Sequence, residues 1–391
     1  MISKLKYFIF FILMNFEVCS QEPIFTQFCL NPIYINPALA GYENNFKFST
    51  NQRFQWPSIP SQFNTTSLAL DSWQNLTNSG FSSMYVRNVE GEGSLTTTSF
   101  SGGAAYRLFD KGQSPIKFQF GIQYQHIRKR IDWSRLVFSD ELDALYGDIF
   151  SSAFIPPNLN SYHQNNLSLG SVFTYRIRKG ITRIGRDYAK MDIDSELGFA
   201  VHNFVQRRNG FIFPDQLNPR KFTLHGNFLM NIYKRKASTG IRPNFIYQQY
   251  DEHDLKTAQI GCDVMMYPLN YGVFYRHQMS TLRENYRPIE SLGFIIGFRK
   301  NISSNMSISF SYSADFTISQ LTGSTSGIHE FVLVIESKTG GLFSGAINEK
   351  RKNKFKKRSI PCFDKFNQNS IISTRMGALN PNPNFKNIKT N

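Results

Sequence analysis

Stretches of about ten residues in which apolar and polar side chains alternate recur along most of the chain. In residues 306–312, for example, Met306, Ile308, Phe310 and Tyr312 alternate with three serines. Because successive side chains of a strand point to opposite faces, such segments predict a sheet with one apolar and one polar face. Fourteen segments of this kind are predicted, near residues 45–53, 63–71, 78–87, 95–107, 115–127, 166–178, 194–204, 221–233, 240–250, 257–268, 271–278, 289–299, 304–314 and 328–337.

The connections between these segments discriminate between two all-β architectures. In a soluble sandwich or barrel the apolar face packs inward, whereas in an outer-membrane barrel it faces lipid. If the N-terminus is periplasmic, most inner connections are short and the main outer ones are long, as is typical of membrane barrels. We therefore predict an all-β transmembrane antiparallel β-barrel of about 14 strands, with a soluble β-protein as the alternative. The inner connections are 72–77, 108–114, 179–193, 234–239, 269–270 and 300–303, and the long outer ones are 128–165, 205–220, 279–288 and 315–327.

The chain divides into four predicted segments. Residues 1–20 have the basic start, apolar run and small residues of a secretory signal peptide, and Cys19 leaves a lipoprotein signal as an alternative. Residues 21–44 form a predicted periplasmic arm or plug, and residues 45–340 form the outer-membrane barrel. Residues 341–391 form a predicted basic periplasmic tail.

The segment before the first strand combines apolar residues with two Asn–Pro steps, Asn31–Pro32 and Asn36–Pro37. Proline cannot donate a hydrogen bond to a sheet, so this segment is not expected to form a strand. Its apolar content, including Phe25, Phe28 and Leu39, would be unfavourable in water. We expect an arm docked on the periplasmic side of the barrel, with a frayed leader as the alternative.

The net charge of +16 is concentrated in the tail, since residues 350–391 hold eleven Lys or Arg residues against one acid. In an exported protein such a tail is expected to meet acidic proteins or anionic surfaces rather than nucleic acid. The widely spaced Cys29, Cys262 and Cys362 indicate neither a disulfide framework nor a zinc site. Candidate partner-binding residues in the tail are Lys352, Lys356, Lys357 and Arg358.

No catalytic signature of a hydrolase, phosphate-binding enzyme or metalloprotease occurs, so we expect no enzyme activity, no cofactor and no metal. A carbohydrate-active enzyme is a remote alternative. The long outer loop combines acidic residues with aromatic ones and is a candidate partner-binding surface, although a solvated acidic loop is the simpler interpretation. Its candidate residues are Trp133, Phe138, Asp140, Glu141 and Asp143.

Five stretches, taken in order, together resemble the signature of the PorP/SprF family of Bacteroidetes outer-membrane proteins. They are the N-terminal arm, 52–57 (QRFQWP), 121–148, 311–321 with 327–333, and 361–363 (PCF), in which the order of the family's ending is altered. The chain departs from the family pattern at Ala314 and in its long basic tail. The residues that match the family motifs are Phe25, Gln27, Asn31, Pro32, Asn36, Pro37, Gly41, Arg53, Gln55, Trp56, Asp315, His329 and Glu330.

The resemblance implies a non-enzymatic outer-membrane barrel that serves type IX secretion and gliding motility. In one branch of the family the partner is a secreted adhesin, or its C-terminal domain, which the barrel anchors at the cell surface. In the other branch the barrel is a core secretion component that docks the periplasmic ring and a peptidoglycan-binding lipoprotein. We expect the adhesin-anchor role, with the core role and a solute channel as alternatives.

Overall fold

The structure is a computed structural model. It describes residues 23–59, 62–75, 77–108, 114–138, 140–143, 147–148, 151–184, 187–206, 208, 210–211, 217–233, 238–251, 255–280, 289–303, 305–318 and 326–337. The predicted signal peptide and the predicted basic tail, with Lys352, Lys356, Lys357 and Arg358, lie outside the described residues.

Fourteen antiparallel strands close into one barrel, because the first strand pairs with the last. The predicted fold class is therefore confirmed. A separate two-stranded ladder joins Leu142–Asp143 to Gly147–Asp148 in an outer loop. In chain order, the barrel strands are β1 (Phe46–Gln55), β2 (Phe63–Gln74), β3 (Ser79–Glu90), β4 (Leu95–Leu108), β5 (Ile116–Arg130), β6 (Ser161–Ile184), β7 (Asp187–His202), β8 (Lys221–Tyr233), β9 (Ser238–Tyr250), β10 (Leu255–Met266), β11 (Leu269–Ser280), β12 (Ile289–Asn301), β13 (Met306–Thr317) and β14 (Ile328–Ser337).

Burial alternates along the strands as the sequence pattern requires. In β14, Glu330, Val332 and Glu336 are buried inside the barrel, whereas Phe331 between them lies on the outer face. Large apolar side chains cover the outer face, where a membrane barrel contacts lipid. This belt includes Phe100, Phe120, Phe173, Phe199, Phe228, Ile260, Phe294, Phe298 and Phe310.

The two rims of the barrel differ in the length of their connections. One rim carries tight turns such as 267–268, which joins β10 to β11, and the other carries long connections such as those that join β5 to β6 and β7 to β8. The prediction of an inner connection at 179–193 was wrong, because β6 and β7 pair as far as Ile184 and Asp187. Backbone hydrogen bonds between two strands do not require an apolar face. Residues 179–193 are rich in charge and therefore do not show the alternation of apolar and polar side chains on which the prediction relied. Among the described helices, none is long and apolar enough to cross a membrane.

Candidate functional site

The N-terminal arm, residues 23–45, folds inside the barrel as three short turns. They comprise Phe28–Leu30, Pro32–Ile35 and Pro37–Leu39. Pro32 and Pro37 each stand at the start of a turn, where the missing N–H of proline removes no hydrogen bond and its fixed φ favours the turn. The two Asn–Pro steps therefore break the arm into a compact chain of turns.

Asn36 joins the arm to the barrel wall. Its Oδ1 accepts a hydrogen bond from Ala38 N at 2.9 Å, which caps the third turn. Its Nδ2 lies 3.1 Å from Ser171 O, 3.3 Å from Phe199 O and 3.0 Å from His225 Nε2. Asn36 is fully buried, so these contacts satisfy a polar group that water does not reach.

A row of small residues on the inner wall receives this part of the arm. Gly80, Ala105, Gly121, Gly170 and Ala200 are paired in register across the five consecutive strands β3 to β7. The row has no side chain larger than a methyl group, so the arm backbone can approach the wall backbone closely. We call these five residues the small-residue row.

The contacts at the glycines of this row leave no room for a side chain. A Cβ atom placed on Gly121 would lie 2.3 Å from Ala38 N, and one on Gly80 would lie 1.9 Å from Ala40 O. A Cβ atom on Gly170 would lie 2.0 Å from Asn36 Oδ1. Glycine at these positions is therefore required by the docked arm rather than by the sheet alone.

Apolar arm residues pack against apolar wall residues that interrupt the polar lumen. Leu30 forms a buried cluster with Leu229, Met265, Val332 and Val334. On other parts of the wall, the arm forms two further buried clusters. In the first, four arm residues pack against two wall residues: Phe28, Ile35, Ala38 and Leu39 against Val172 and Ile246. In the second, two arm residues pack against four wall residues: Ile33 and Ala40 against Ala69, Met84, Val86 and Ala105.

A polar cluster holds the start of the arm against β13 and β14. The Glu330 carboxylate accepts hydrogen bonds from Thr26 N at 2.8 Å, Gln27 N at 3.2 Å and Asn51 Nδ2 at 2.8 Å. Arg53 is buried and is paired in register with Glu330. Hydrogen bonds to a carboxylate are stronger than those between neutral groups, so this carboxylate fixes the arm firmly.

Asp315 extends the same cluster. It accepts a hydrogen bond from Thr26 Oγ1 at 2.8 Å and forms an ion pair with Arg276 Nη1 at 3.0 Å. Arg276 also donates to Thr26 Oγ1 at 2.9 Å and to Gln259 Oε1. The side-chain amide nitrogen of Gln259 in turn donates to Thr26 O at 3.0 Å. Both the main chain and the side chain of Thr26 are thus held by strands β10, β11, β13 and β14.

Further contacts fix the rest of the arm. Asn31 Nδ2 donates to Ser67 Oγ at 3.0 Å, and the Phe25 ring packs edge-on against Tyr34 at 4.8 Å. Gly41, at φ +63°, donates its backbone N–H to Asp71. The arm therefore crosses the lumen from one wall to the other.

The arm leaves little free space beside it. A cavity between Thr26–Leu30 and β9 to β12 measures about 20 Å³. That volume holds about one water molecule. A second cavity, between the arm and Glu196 and His225 of the wall, is equally small. The described part of the arm therefore packs closely against the wall.

The QRFQWP stretch and His329 lie near the long-loop rim. Trp56 adopts φ +57°, donates its N–H to Gly327 O at 2.8 Å and packs edge-on against Phe63. Gln55 ends β1 opposite Phe63 and Ile328. His329 lies on the outer face of β14, where its ring stacks on Tyr312. His329 and Glu330 thus lie on opposite faces of one strand.

The long outer loop is held by its own aromatic and acidic residues. Trp133 packs against Phe154 and Phe211, and Phe138 packs against Phe154 at 4.8 Å. Glu141 accepts a hydrogen bond from Phe138 N at 2.8 Å. Asp143 belongs to the short ladder of this loop. The aromatic residues selected from the sequence therefore meet in one cluster, and Glu141 contacts it.

Asp140 closes the same loop. It accepts hydrogen bonds from Ala153 N at 2.7 Å and from Ser152 Oγ. These hydrogen bonds lower the pKa of the Asp140 carboxyl below its usual value. The carboxylate therefore holds the loop at neutral pH, and the hold is lost on acidification through this lowered pKa. No group of three or more metal-binding side chains occurs within the part of the chain that the structure describes.

The family comparison decides what kind of barrel this is. Residues 18–335 match the model of the family described as Type IX secretion system membrane protein PorP/SprF. The chain belongs to the PorP/SprF family. The resemblance seen in the sequence is confirmed, and family and fold together place this PorP/SprF protein with the type IX secretion system in the outer membrane. The family is one of secretion-system membrane proteins and not a known enzyme family.

More distant similarities occur among solved structures, while a comparison with curated proteins gives no match. CdiB from Acinetobacter baumannii shares 8% identity over 75% of this chain and 60% of that chain, with a TM-score of 0.37. The CymD monoaromatic hydrocarbon channel shares 8% identity over 82% and 93% of the two chains, with a TM-score of 0.36. The translocator domain of the autotransporter NalP from Neisseria meningitidis shares 12% identity over 75% of this chain and 87% of that chain, with a TM-score of 0.33. This PorP/SprF chain thus spans 60% of the CdiB chain.

Several residues of the arm site were not selected from the sequence. Thr26, Gln259 and Arg276 hold the arm, yet they stand in different strands or segments without a common motif. The glycines of the small-residue row are also far apart in the sequence. The one available signal was that Gly80, Gly121 and Gly170 interrupt segments that otherwise alternate, which marks a close backbone approach.

Proposed function

We propose that this PorP/SprF protein is a plugged barrel that acts as the partner and surface anchor of a secreted adhesin. The observation that carries this proposal is the arm, which folds inside the barrel and contacts opposite walls of the lumen. A barrel whose interior is occupied presents its rims and loops to other proteins instead of a passage for solutes. Residues 1–20 act as the export signal in this proposal, residues 21–44 as the plug and residues 45–340 as the membrane barrel.

The proposed recognition surface is the tip of the outer loop 131–160. Ile155 is 88% exposed, and Leu142, Val137 and Leu159 are 54%, 47% and 44% exposed. Exposed apolar residues in a loop that its own aromatic residues hold in place are typical of protein-binding sites. The proposed occupant of this surface is the C-terminal domain of a secreted adhesin. The proposed role of the complex is to attach the adhesin to the cell surface during gliding.

The test is a mild-detergent pull-down of the full chain from its own outer membranes. We compare Ile155→Asp with Ile302→Asp, since Ile302 is also exposed (61%) but belongs to a tight turn at the other rim. We expect Ile155→Asp to reduce the co-purifying large secreted protein at least about tenfold, because a charge at the centre of an apolar interface is desolvated. Ile302→Asp should retain it.

The core secretion role is the second candidate, favoured by the short-turn rim. Recovery of periplasmic ring subunits and a peptidoglycan-binding lipoprotein, unchanged by Ile155→Asp, would support that role instead. In that case the basic tail, residues 341–391 with Lys352, Lys356, Lys357 and Arg358, is the proposed contact with an acidic partner. Such a contact would weaken at high salt.

A further inference from the structure

Three arginines lie together on the outer face of the barrel, next to the long-loop rim. Arg87 is near the end of β3, and Arg128 and Arg130 end β5. All three are exposed, and they point away from the lumen, since their strand neighbours Asn88 and Ile127 are buried inside. We call Arg87, Arg128 and Arg130 the arginine patch.

The pairing of the strands brings these arginines side by side. Thr98 of β4 is paired with Arg87 on one side and with Arg128 on the other. Thr96 is paired with Arg130. Neighbouring strands are about 4.8 Å apart and every second residue of a strand is about 7 Å away, so the three side chains can converge on one group.

The arginine patch borders a cavity of about 350 Å³. Its other lining residues are Ser94, Thr96, Thr98 and Asp132. The hydroxyl groups of Ser94 and Thr98 add further donors, whereas that of Thr96 already donates to Ser94 O at 2.9 Å. The cavity is in the size range of small-ligand sites. It is large enough to admit a phosphorylated sugar headgroup.

The charge of this cavity is not neutralised by the protein around it. Among the described residues, none of the three guanidinium groups forms an ion pair. The lining includes one carboxylate, Asp132, and its Oδ1 already accepts a hydrogen bond from Ser134 Oγ at 2.7 Å. Three positive charges against one negative charge leave a cavity that favours an anion.

Directly below the arginine patch, the exposed His126 contacts His163 and Asn165 of the next strand. Beyond these polar residues the outer surface becomes apolar. Phe100, Tyr124 and Ile122 are 58%, 53% and 48% exposed on the same outer face, further from the rim. The long-loop rim of a bacterial barrel faces the cell exterior, so this place corresponds to the outer leaflet. The arginines therefore stand at headgroup level and the aromatic residues at the level of acyl chains.

We propose that the arginine patch binds the phosphate groups of a phosphorylated glycolipid in the outer leaflet. Arginine forms paired hydrogen bonds to phosphate, and the apolar belt below receives the acyl chains. A lipid is favoured over an acidic protein because the cavity lies on the lipid-facing wall and not on the loop tips. The bound lipid would fix the height of the barrel in its membrane.

The test uses the full chain, purified in dodecyl maltoside and titrated with diphosphoryl lipid A, with bound lipid counted by native mass spectrometry. The variants are Arg128→Gln, the triple variant Arg87→Gln/Arg128→Gln/Arg130→Gln, and the control Lys300→Gln. Lys300 is also an exposed cation on the outer face, but it lies next to the short-turn rim. Phosphatidylcholine and inorganic phosphate are the control ligands.

We expect lipid A to bind wild type and Lys300→Gln equally, and Arg128→Gln at least about tenfold more weakly. The triple variant should retain only the weak binding shown by phosphatidylcholine. Unchanged binding by the triple variant would overturn the proposal, as would displacement of lipid A by millimolar inorganic phosphate, which would indicate a free-anion site. If the triple variant keeps its lipid A binding but fails to capture an acidic protein that wild type captures from outer-membrane extract, the patch is assigned to a protein instead. Because the lipid titration uses no secretion partner, its outcome is independent of the adhesin-anchor proposal.

Discussion

Asn36 shows how one side chain can serve both local and tertiary structure. Its Oδ1 caps a turn within the arm, and its amide nitrogen contacts backbone oxygens of β6 and β7. These two roles together need a short side chain with both an acceptor and a donor, which aspartate or serine would supply only in part. The capping role can be recognised in the sequence from the Asn–Pro step, whereas the contact with the wall is known only from the folded barrel.

Replacement of this residue should destabilise the whole barrel. We expect Asn36→Ala to lower the free energy of unfolding in urea by about 2 to 4 kcal/mol, because a turn cap and buried hydrogen bonds are lost together. The matched control is Asn158→Ala, the same change at an exposed position of the outer loop. Similar unfolding midpoints for the two variants would contradict the role given to Asn36.

At the scale of elements, the arm and the small-residue row fit each other. The arm lacks a strand pattern and the row lacks bulky side chains, and neither feature is needed for a barrel alone. Together they let two backbones meet, as the approach of Ala38 to Gly121 shows. The row is therefore a docking surface for the arm inside the barrel.

One added methyl group should loosen this docking. Gly121→Ala places a Cβ atom 2.3 Å from Ala38 N, and such overpacking costs about 1 to 3 kcal/mol. We expect the arm of this variant to be cleaved by added protease about 5 to 100 times faster than in wild type. Gly102→Ala is the control, since a Cβ atom there would meet nothing within 4 Å. Equal cleavage rates in the two variants would exclude the row as the docking surface.

The predicted strands show which parts of an element the pattern can locate. β2, β8 and β14 begin where the alternation begins. The ends of β6 and β7 were missed, because the charged residues between 179 and 193 carry no apolar face even though their backbones pair. Hydrogen bonding extended these strands beyond the part that hydrophobicity marks.

At the scale of the whole molecule, the arm decides whether the barrel has an open lumen. It contacts walls on opposite sides, from Glu330 in β14 to Ser171 in β6, and leaves a cavity of about 20 Å³ at one flank. A closed lumen favours an anchor, and an open one would favour a solute channel. Electrical measurements separate the two.

Wild type should therefore pass little current in a planar bilayer. Replacing residues 23–41 by a Gly/Ser linker of equal length should raise the conductance at least about tenfold, because the polar lumen would fill with water. The Gly102→Ala variant should conduct like wild type, which controls for changes in the barrel wall. A wild-type conductance as large as that of the linker variant would overturn the plugged barrel and favour the channel.

The sequence by itself determined the barrel, its approximate strand positions and the presence of an unusual arm. These follow from local rules, since alternation reports a two-faced strand and Asn–Pro reports a turn. The tertiary structure alone decided that Thr26, Glu330 and Arg276 meet, that distant glycines form one row and that three arginines share one cavity. Such groupings depend on the register of strands that are far apart in the chain, and register is set by barrel closure rather than by any one segment.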